Sequence, residues 1–166
     1  MKLGFKIALS AVLIGAAALV FNAFSAAEKM PLKQTMTTMA GKPIQIADYQ
    51  GKVVLVNFWA TSCTGCMAEM PGLVAAQNKL GKDKLVTIAV AMSYDNPTYI
   101  QNYLAKTPLP FEMVYDQSGE IARAFGEVQL TPTSFLLDPK GRLIKKIVGE
   151  LSEQQLIDIV NQAHGA

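Results

Sequence analysis

The chain contains two cysteines, Cys63 and Cys66, within the segment FWATSCTGCMAEMP. A pair at this spacing can act as a redox dithiol, as half of a zinc site, as a copper clasp or as a structural disulfide. A structural bridge across so short a loop removes little entropy from the unfolded chain, so it stabilises the fold little. Zinc needs further ligands, and the single histidine, His164, lies in the C-terminal tail. A copper site stays open as an alternative. Met67 and Met70 could add sulfur ligands to it, although their positions suit the packing face of a helix. We therefore predict neither a metal site nor a cofactor.

The position of the pair between a strand and a helix favours the dithiol. Residues 53–59 are almost continuously β-branched or aromatic, which is typical of a strand buried on both faces of a parallel sheet. A helical pattern follows to Leu80 and contains Pro71. The positive end of that helix dipole favours a thiolate, so we predict that Cys63 has a lowered pKa and attacks disulfides. Cys66 lies one turn further on the same face and is placed to resolve the mixed disulfide.

The remaining chain alternates extended and helical patterns in an order typical of an α/β domain with a mixed sheet and helices on both faces. A hairpin around a Gly/Pro turn and a single helical turn at 48–52 precede the strand before the cysteines. Strands are predicted at 85–91, 111–115, 134–137 and 143–148, and helices at 96–106, 118–125 and 153–163. The last two strands flank the turn sequence DPKG, so we expect them to pair antiparallel.

The first 27 residues have the pattern of a secretory signal. Lys2 and Lys6 precede an apolar stretch from Ile7 to Phe21, and small residues follow up to Ala27. The stretch is shorter than the roughly 20 residues that span a bilayer, which favours a cleaved signal over an uncleaved anchor. We therefore predict a signal peptide at 1–27, a single domain at 28–166, and a location in the periplasm or on the outer face of the cytoplasmic membrane. The net charge of +2 is too small to indicate nucleic-acid binding.

Two segments carry a resemblance to the thioredoxin superfamily. The run FWATSCTGC with Pro71 resembles its active-site strand and helix, and TPTSFLLD, residues 131–138, resembles its cis-proline loop. The run GKVVLVNFWA is similar to the signature of the exported TlpA/ResA/CcmG-like branch, which also has an opening hairpin and an extra strand–helix segment, here near residues 93–115. The resemblance covers residues 35–163. It implies a thioredoxin-like fold with a central mixed β-sheet, an N-terminal β-hairpin and a central strand–helix insertion.

The resemblance also implies a substrate site beside Cys63. The peptide bond between Thr131 and Pro132 is expected to be cis, because X–Pro bonds adopt that form at low cost. A cis-proline presents the backbone of its neighbour to an extended substrate. We expect Thr131 to form one wall of this site, with its hydroxyl near the sulfur, and Trp59 to contribute an apolar wall.

Glu69 is a candidate for the proton transfer that resolution requires. It follows Cys66 by three residues and therefore lies on the same helical face. Its carboxylate could accept the thiol proton of Cys66 before that sulfur attacks. Thioredoxins use an aspartate on the preceding strand, and the matching Asn57 cannot titrate; ResA-like proteins resemble this chain in having glutamate at the position of Glu69. The alternative is a solvated acid that the helix dipole favours.

These features predict an exported thiol–disulfide oxidoreductase that reduces specific protein disulfides. The resemblance implies apocytochrome c as a substrate, a role in cytochrome c maturation, and a membrane thiol donor of the DsbD/CcdA kind. We expect a monomer. The chain departs from the family in Ser62, Thr64 and Gly65, which change the reduction potential, and an oxidase that donates its disulfide would differ only in that potential. A copper-binding module would instead bind copper tightly and have no reductase activity. Its copper site would be lost in Cys63→Ser.

Overall fold

A five-stranded mixed sheet forms the centre of the computed structural model, which describes residues 30–165. The strands are β1 (Met36–Thr37), β2 (Pro43–Ile44), β3 (Val53–Trp59), β4 (Leu85–Ala91), β5 (Glu112–Tyr115), β6 (Thr133–Leu137) and β7 (Leu143–Val148). The helices are α1 (Thr64–Leu80), α2 (Pro97–Lys106), α3 (Glu120–Ala124) and α4 (Glu153–His164). The sheet order is β5-β4-β3-β6-β7, in which β3 runs parallel to β4 and antiparallel to β6. This arrangement confirms the predicted mixed sheet.

The central strand β3 explains why its sequence is almost uniformly apolar. All seven of its residues are buried. Val54, Val56 and Phe58 belong to a core cluster on one face of the sheet, whereas Val53 and Leu55 belong to a cluster on the other. Helices α1 and α4 cover the second face and α3 covers the first, so every side chain of β3 is enclosed. At its C-terminal end the strand leads into the short loop that contains Cys63.

The appended elements lie where the sequence predicts them, with shifted ends. The hairpin β1–β2 joins the sheet edge through a bridge between Thr38 and Val114, and α2 with β5 forms the extra strand–helix unit. The short helix predicted from residue 118 begins only at Glu120, because Gly119 has φ 72 in the left-handed region. The helical turn predicted at 48–52 is a 3₁₀ turn at Ile46–Tyr49.

Within residues 30–165, none of the helices is both long enough and apolar enough to cross a membrane. The signal segment predicted at 1–27 lies outside the described residues, so it stays a prediction.

Candidate active site

The two cysteines form a disulfide at the N-terminus of α1. Cys63 is the N-cap residue, with extended backbone (φ −88, ψ 106), and its Sγ accepts a hydrogen bond from the backbone N–H of Cys66 at 3.1 Å. Free N–H groups and the positive end of the helix dipole therefore face the Cys63 sulfur. Cys66 is fully buried, whereas Cys63 is partly exposed. Only the Cys63 sulfur can meet another molecule.

A buried carboxylate holds the turn that precedes Cys63. Asp95, in the loop between β4 and α2, accepts hydrogen bonds from the backbone N–H and the hydroxyl of Thr61, both at 2.6 Å. Its Oδ1 also accepts the N–H of Asn96 at 2.8 Å. The sequence indicated only a helix start at this point, so the contribution of Asp95 to the active-site turn was missed.

The cis-proline loop lies against the disulfide loop. The bond between Thr131 and Pro132 is cis, which confirms the expectation from sequence. A Cβ placed on Gly65, between the two cysteines, would lie 3.5 Å from Cδ of Pro132. Pro132 is anchored by its carbonyl, which accepts the N–H of Gly149 at 2.8 Å. The structure thus brings together two segments that are far apart in sequence.

The hydroxyl of Thr131 has a partner that the sequence did not indicate. It shares a hydrogen bond of 3.0 Å with the hydroxyl of Tyr94, in the loop that also contains Asp95. The backbone N–H and C=O of Thr131 have no hydrogen-bond partner among the described residues. Tyr94 is 58% exposed and Leu130, next to Thr131, is 65% exposed. These two large apolar side chains border the cis-proline loop.

Glu69 is buried, which excludes the alternative of a solvated acid. Its side chain is 5% exposed, and its two oxygens accept hydrogen bonds of 2.8 Å from Nδ2 of Asn57 and from the N–H of Leu151. Burial raises the pKa of Glu69; these two hydrogen bonds oppose the shift, and the charge of Glu150 adds to it. Asn57 also donates to the Ser134 hydroxyl at 3.0 Å, while its Oδ1 has no partner among the described residues.

Trp59 has a different position from the one predicted. It is fully buried and packs in a cluster with Cys66, Met70 and Tyr103. The ring centroids of Trp59 and Tyr103 are 5.6 Å apart. No surface of Trp59 remains for a substrate, so the expectation of a direct substrate contact is wrong. The indole lies beneath the disulfide as part of the core. Met67 and Met70 pack in the same cluster, as residues of a helix face.

Comparison with known proteins places the chain among dithiol enzymes. A family model described as Redoxin matches residues 25–162. The thiol-disulfide oxidoreductase ResA of Bacillus cereus is 33% identical over 162 residues, which are 93% of this chain and 92% of that protein. The sporulation thiol-disulfide oxidoreductase A of Bacillus subtilis is 30% identical over 150 residues, or 87% and 90% of the two chains. A solved thiol:disulfide interchange protein of the thioredoxin family from Chlorobium tepidum has a TM-score of 0.72 at 29% identity, with 80% and 93% covered.

Proposed function

Because the chain belongs to the Redoxin family and is a thiol–disulfide oxidoreductase of thioredoxin-like fold, we propose that it is an exported reductant of specific protein disulfides. One observation carries the proposal. Cys63 is partly exposed at a helix N-terminus, in a loop that approaches Pro132, whereas Cys66 is fully buried. This arrangement suits one attacking sulfur and one resolving sulfur.

The reaction begins with the reduced protein. The Cys63 thiolate attacks one sulfur of the substrate disulfide, a mixed disulfide forms, and the first substrate thiolate leaves. Cys66 then loses its proton and attacks the Cys63 sulfur, which releases the second substrate thiolate. The substrate gains two electrons and the protein ends with the Cys63–Cys66 disulfide. A membrane thiol carrier of the DsbD/CcdA kind returns the two electrons.

The substrate docks as an extended segment beside the cis-proline loop. The backbone N–H and C=O of Thr131, which no group in residues 30–165 pairs with, are available for two hydrogen bonds to such a segment. The Thr131 side chain is held by Tyr94, so the loop is fixed before the substrate arrives. This supports Thr131 and Pro132 as substrate-binding residues.

Glu69 is the proton acceptor for Cys66. Its carboxylate is on the same helical face as Cys66, buried, and held in place by Asn57 and Leu151. Burial raises its pKa above that of an ordinary glutamate, which brings it closer to the pKa of a thiol. A proton can therefore pass to Glu69 at a smaller cost than to a solvated carboxylate.

The reduction potential of the cysteine pair tests the direction of the reaction. We propose apocytochrome c, in cytochrome c maturation, as the substrate, which requires a reducing protein. Equilibration with glutathione buffers should give a potential nearer to the value of about −270 mV for thioredoxin than to the value of about −120 mV for the oxidase DsbA. A value near the latter would contradict the proposal and favour a disulfide donor. Reduction of a disulfide-bonded apocytochrome c peptide would then test the substrate itself.

Limited alkylation tests which thiol is reactive. In the reduced protein, substoichiometric iodoacetamide followed by peptide mapping should label Cys63 before Cys66, because Cys63 is at the helix N-terminus and partly exposed while Cys66 is enclosed. Cys63→Ser provides the control, since the fast-reacting fraction should disappear in that variant. Faster labelling of Cys66 would reverse the assigned roles.

N-terminal sequencing of the native protein tests export. Cleavage of the signal predicts a mature chain that begins at Glu28, or at Ala26 if the second site is used. The mature form should be recovered outside the cytoplasmic membrane. An intact Met1 in the membrane fraction would instead establish an anchored protein.

A further inference from the structure

Glu150 places an exposed carboxylate over the loop that joins the two cysteines. The residue lies between β7 and α4, and its Oε1 is 3.1 Å from the point where a Cβ on Gly65 would be. The same point is 3.5 Å from Cδ of Pro132. The carboxylate thus stands beside both the disulfide loop and the cis-proline loop, where a substrate has to approach Cys63.

Among the residues that the structure describes, no cation forms an ion pair with this carboxylate. The ion pairs within residues 30–165 are Lys42–Glu112 and Arg142–Asp138, and no hydrogen bond reaches the Glu150 side chain from the described residues. Glu69, the other acid at the site, is buried with both oxygens occupied by N–H donors. Of the two acids Glu69 and Glu150, only Glu150 is therefore accessible to a substrate.

Gly65 makes room for this arrangement. A side chain at position 65 would place its Cβ 3.1 Å from Oε1 of Glu150, so the carboxylate would have to move away by a few tenths of an ångström. Glycine at this position lets the charge approach the disulfide loop closely.

We propose that Glu150 is a specificity-determining residue, which favours disulfide substrates with a lysine or arginine beside the attacked cysteine and disfavours those with an acid there. The proposal rests on the proposed function, since it concerns substrates of the same site. A docked substrate displaces water between its side chain and the carboxylate, which strengthens the interaction of the two charges. Salt weakens it, because the site is open to solvent.

Three disulfide peptides that differ only in the residue beside the attacked cysteine, lysine, glutamine or glutamate, test this selectivity. With the reduced protein at low salt, the second-order rate constant of peptide reduction, measured by stopped flow, should fall from lysine to glutamine to glutamate by about 2- to 5-fold at each step. Glu150→Gln should bring the three values together, and Glu150→Lys should reverse their order. Adding about 0.5 M salt should reduce the wild-type ratios.

Glu153→Gln is the matched control, because Glu153 is also an exposed acid of this region but lies against Gly72 instead of Gly65. It should keep the wild-type ratios. Equal rates for the three peptides in the wild type would overturn the inference and leave reductase activity intact. A Glu150→Gln effect of the same size on all three would also overturn it, since that result would show an influence on Cys63 alone.

The glutamine peptide separates this inference from the proposed function. If the reduced protein leaves that peptide unreduced, the proposed direction fails. The oxidised protein is then offered the three peptides as dithiols, and the same order of rates is expected because docking precedes exchange in both directions. Equal rates in that direction would overturn the selectivity of Glu150.

Discussion

Cys63→Ser is expected to abolish disulfide exchange, whereas Cys66→Ser is expected to leave a protein that attacks its substrate and cannot release it. The serine hydroxyl is not ionised at neutral pH, so loss of the Cys63 thiolate removes the nucleophile and should lower the rate by about 10⁴-fold or more. In Cys66→Ser the Cys63 sulfur still attacks, but the Cys66 sulfur, which has to displace the substrate from Cys63, is absent. The mixed disulfide should accumulate to nearly one per protein molecule.

Rapid acid quench followed by non-reducing electrophoresis measures the trapped species. The double variant with serine at both positions is the control and should trap nothing. Both single variants should fold, because the short disulfide loop contributes little to the free energy of unfolding. Trapping by Cys63→Ser and not by Cys66→Ser would show that the two sulfurs have the opposite roles.

Glu69→Gln is expected to slow the second half of the reaction and leave the first half unchanged. Attack by Cys63 depends on the helix N-terminus, which the variant keeps. Resolution by Cys66 should slow by about 100-fold, which is the low end of the usual contribution of a general base. Mixed disulfides should then persist, and the second step should require a higher pH. Stopped-flow reduction of a model disulfide, with trapping of the mixed disulfide, separates the two steps.

The surroundings of Glu69 allow this variant to keep its shape. Both carboxylate oxygens accept N–H donors, and a glutamine amide offers only one acceptor. A half-turn of the Asn57 amide would restore the lost bond, because its unpaired Oδ1 can accept from the new amide while Leu151 still donates to the remaining oxygen. Ser134 can then donate to Asn57. The effect on rate should therefore reflect the lost base and not a distorted helix.

The pH dependence distinguishes a base from a structural acid. In the wild type, resolution should weaken as the pH falls through the raised pKa of Glu69, because the protonated carboxyl cannot accept a proton. Asn57→Ala removes a hydrogen bond that lowers this pKa, so the falling limb should move to higher pH. If Glu69→Gln releases product at the wild-type rate between about pH 6 and pH 9, Glu69 is a structural residue of the helix and the proton-transfer role is wrong.

Local patterns were sufficient for the elements that carry the cysteines. The continuous apolar run of β3 indicated a strand enclosed on both faces, and the structure buries all seven residues. The helix after the cysteines was predicted to end at Leu80, as it does. Capping residues and turns are governed by neighbours in sequence, so the helices predicted from residues 96 and 153 begin in the structure directly after the N-cap residues Asn96 and Ser152. The cysteine pair at a helix N-terminus follows from the same local rules.

By itself, then, the sequence determined the order of elements, the strand–cysteine–helix unit and, through the resemblance, the cis-proline loop. Only the tertiary structure decided which polar groups meet around the disulfide. Glu69 is bound by Leu151 across 82 positions, Tyr94 meets Thr131 across 37, and Asp95 holds Thr61 across 34. The burial of Trp59 was likewise decided by the packing of α2 against the strand. Periodicity reports which face of an element is apolar, but a hydrogen bond of about 3 Å depends on the packing of loops whose sequences carry no periodic signal.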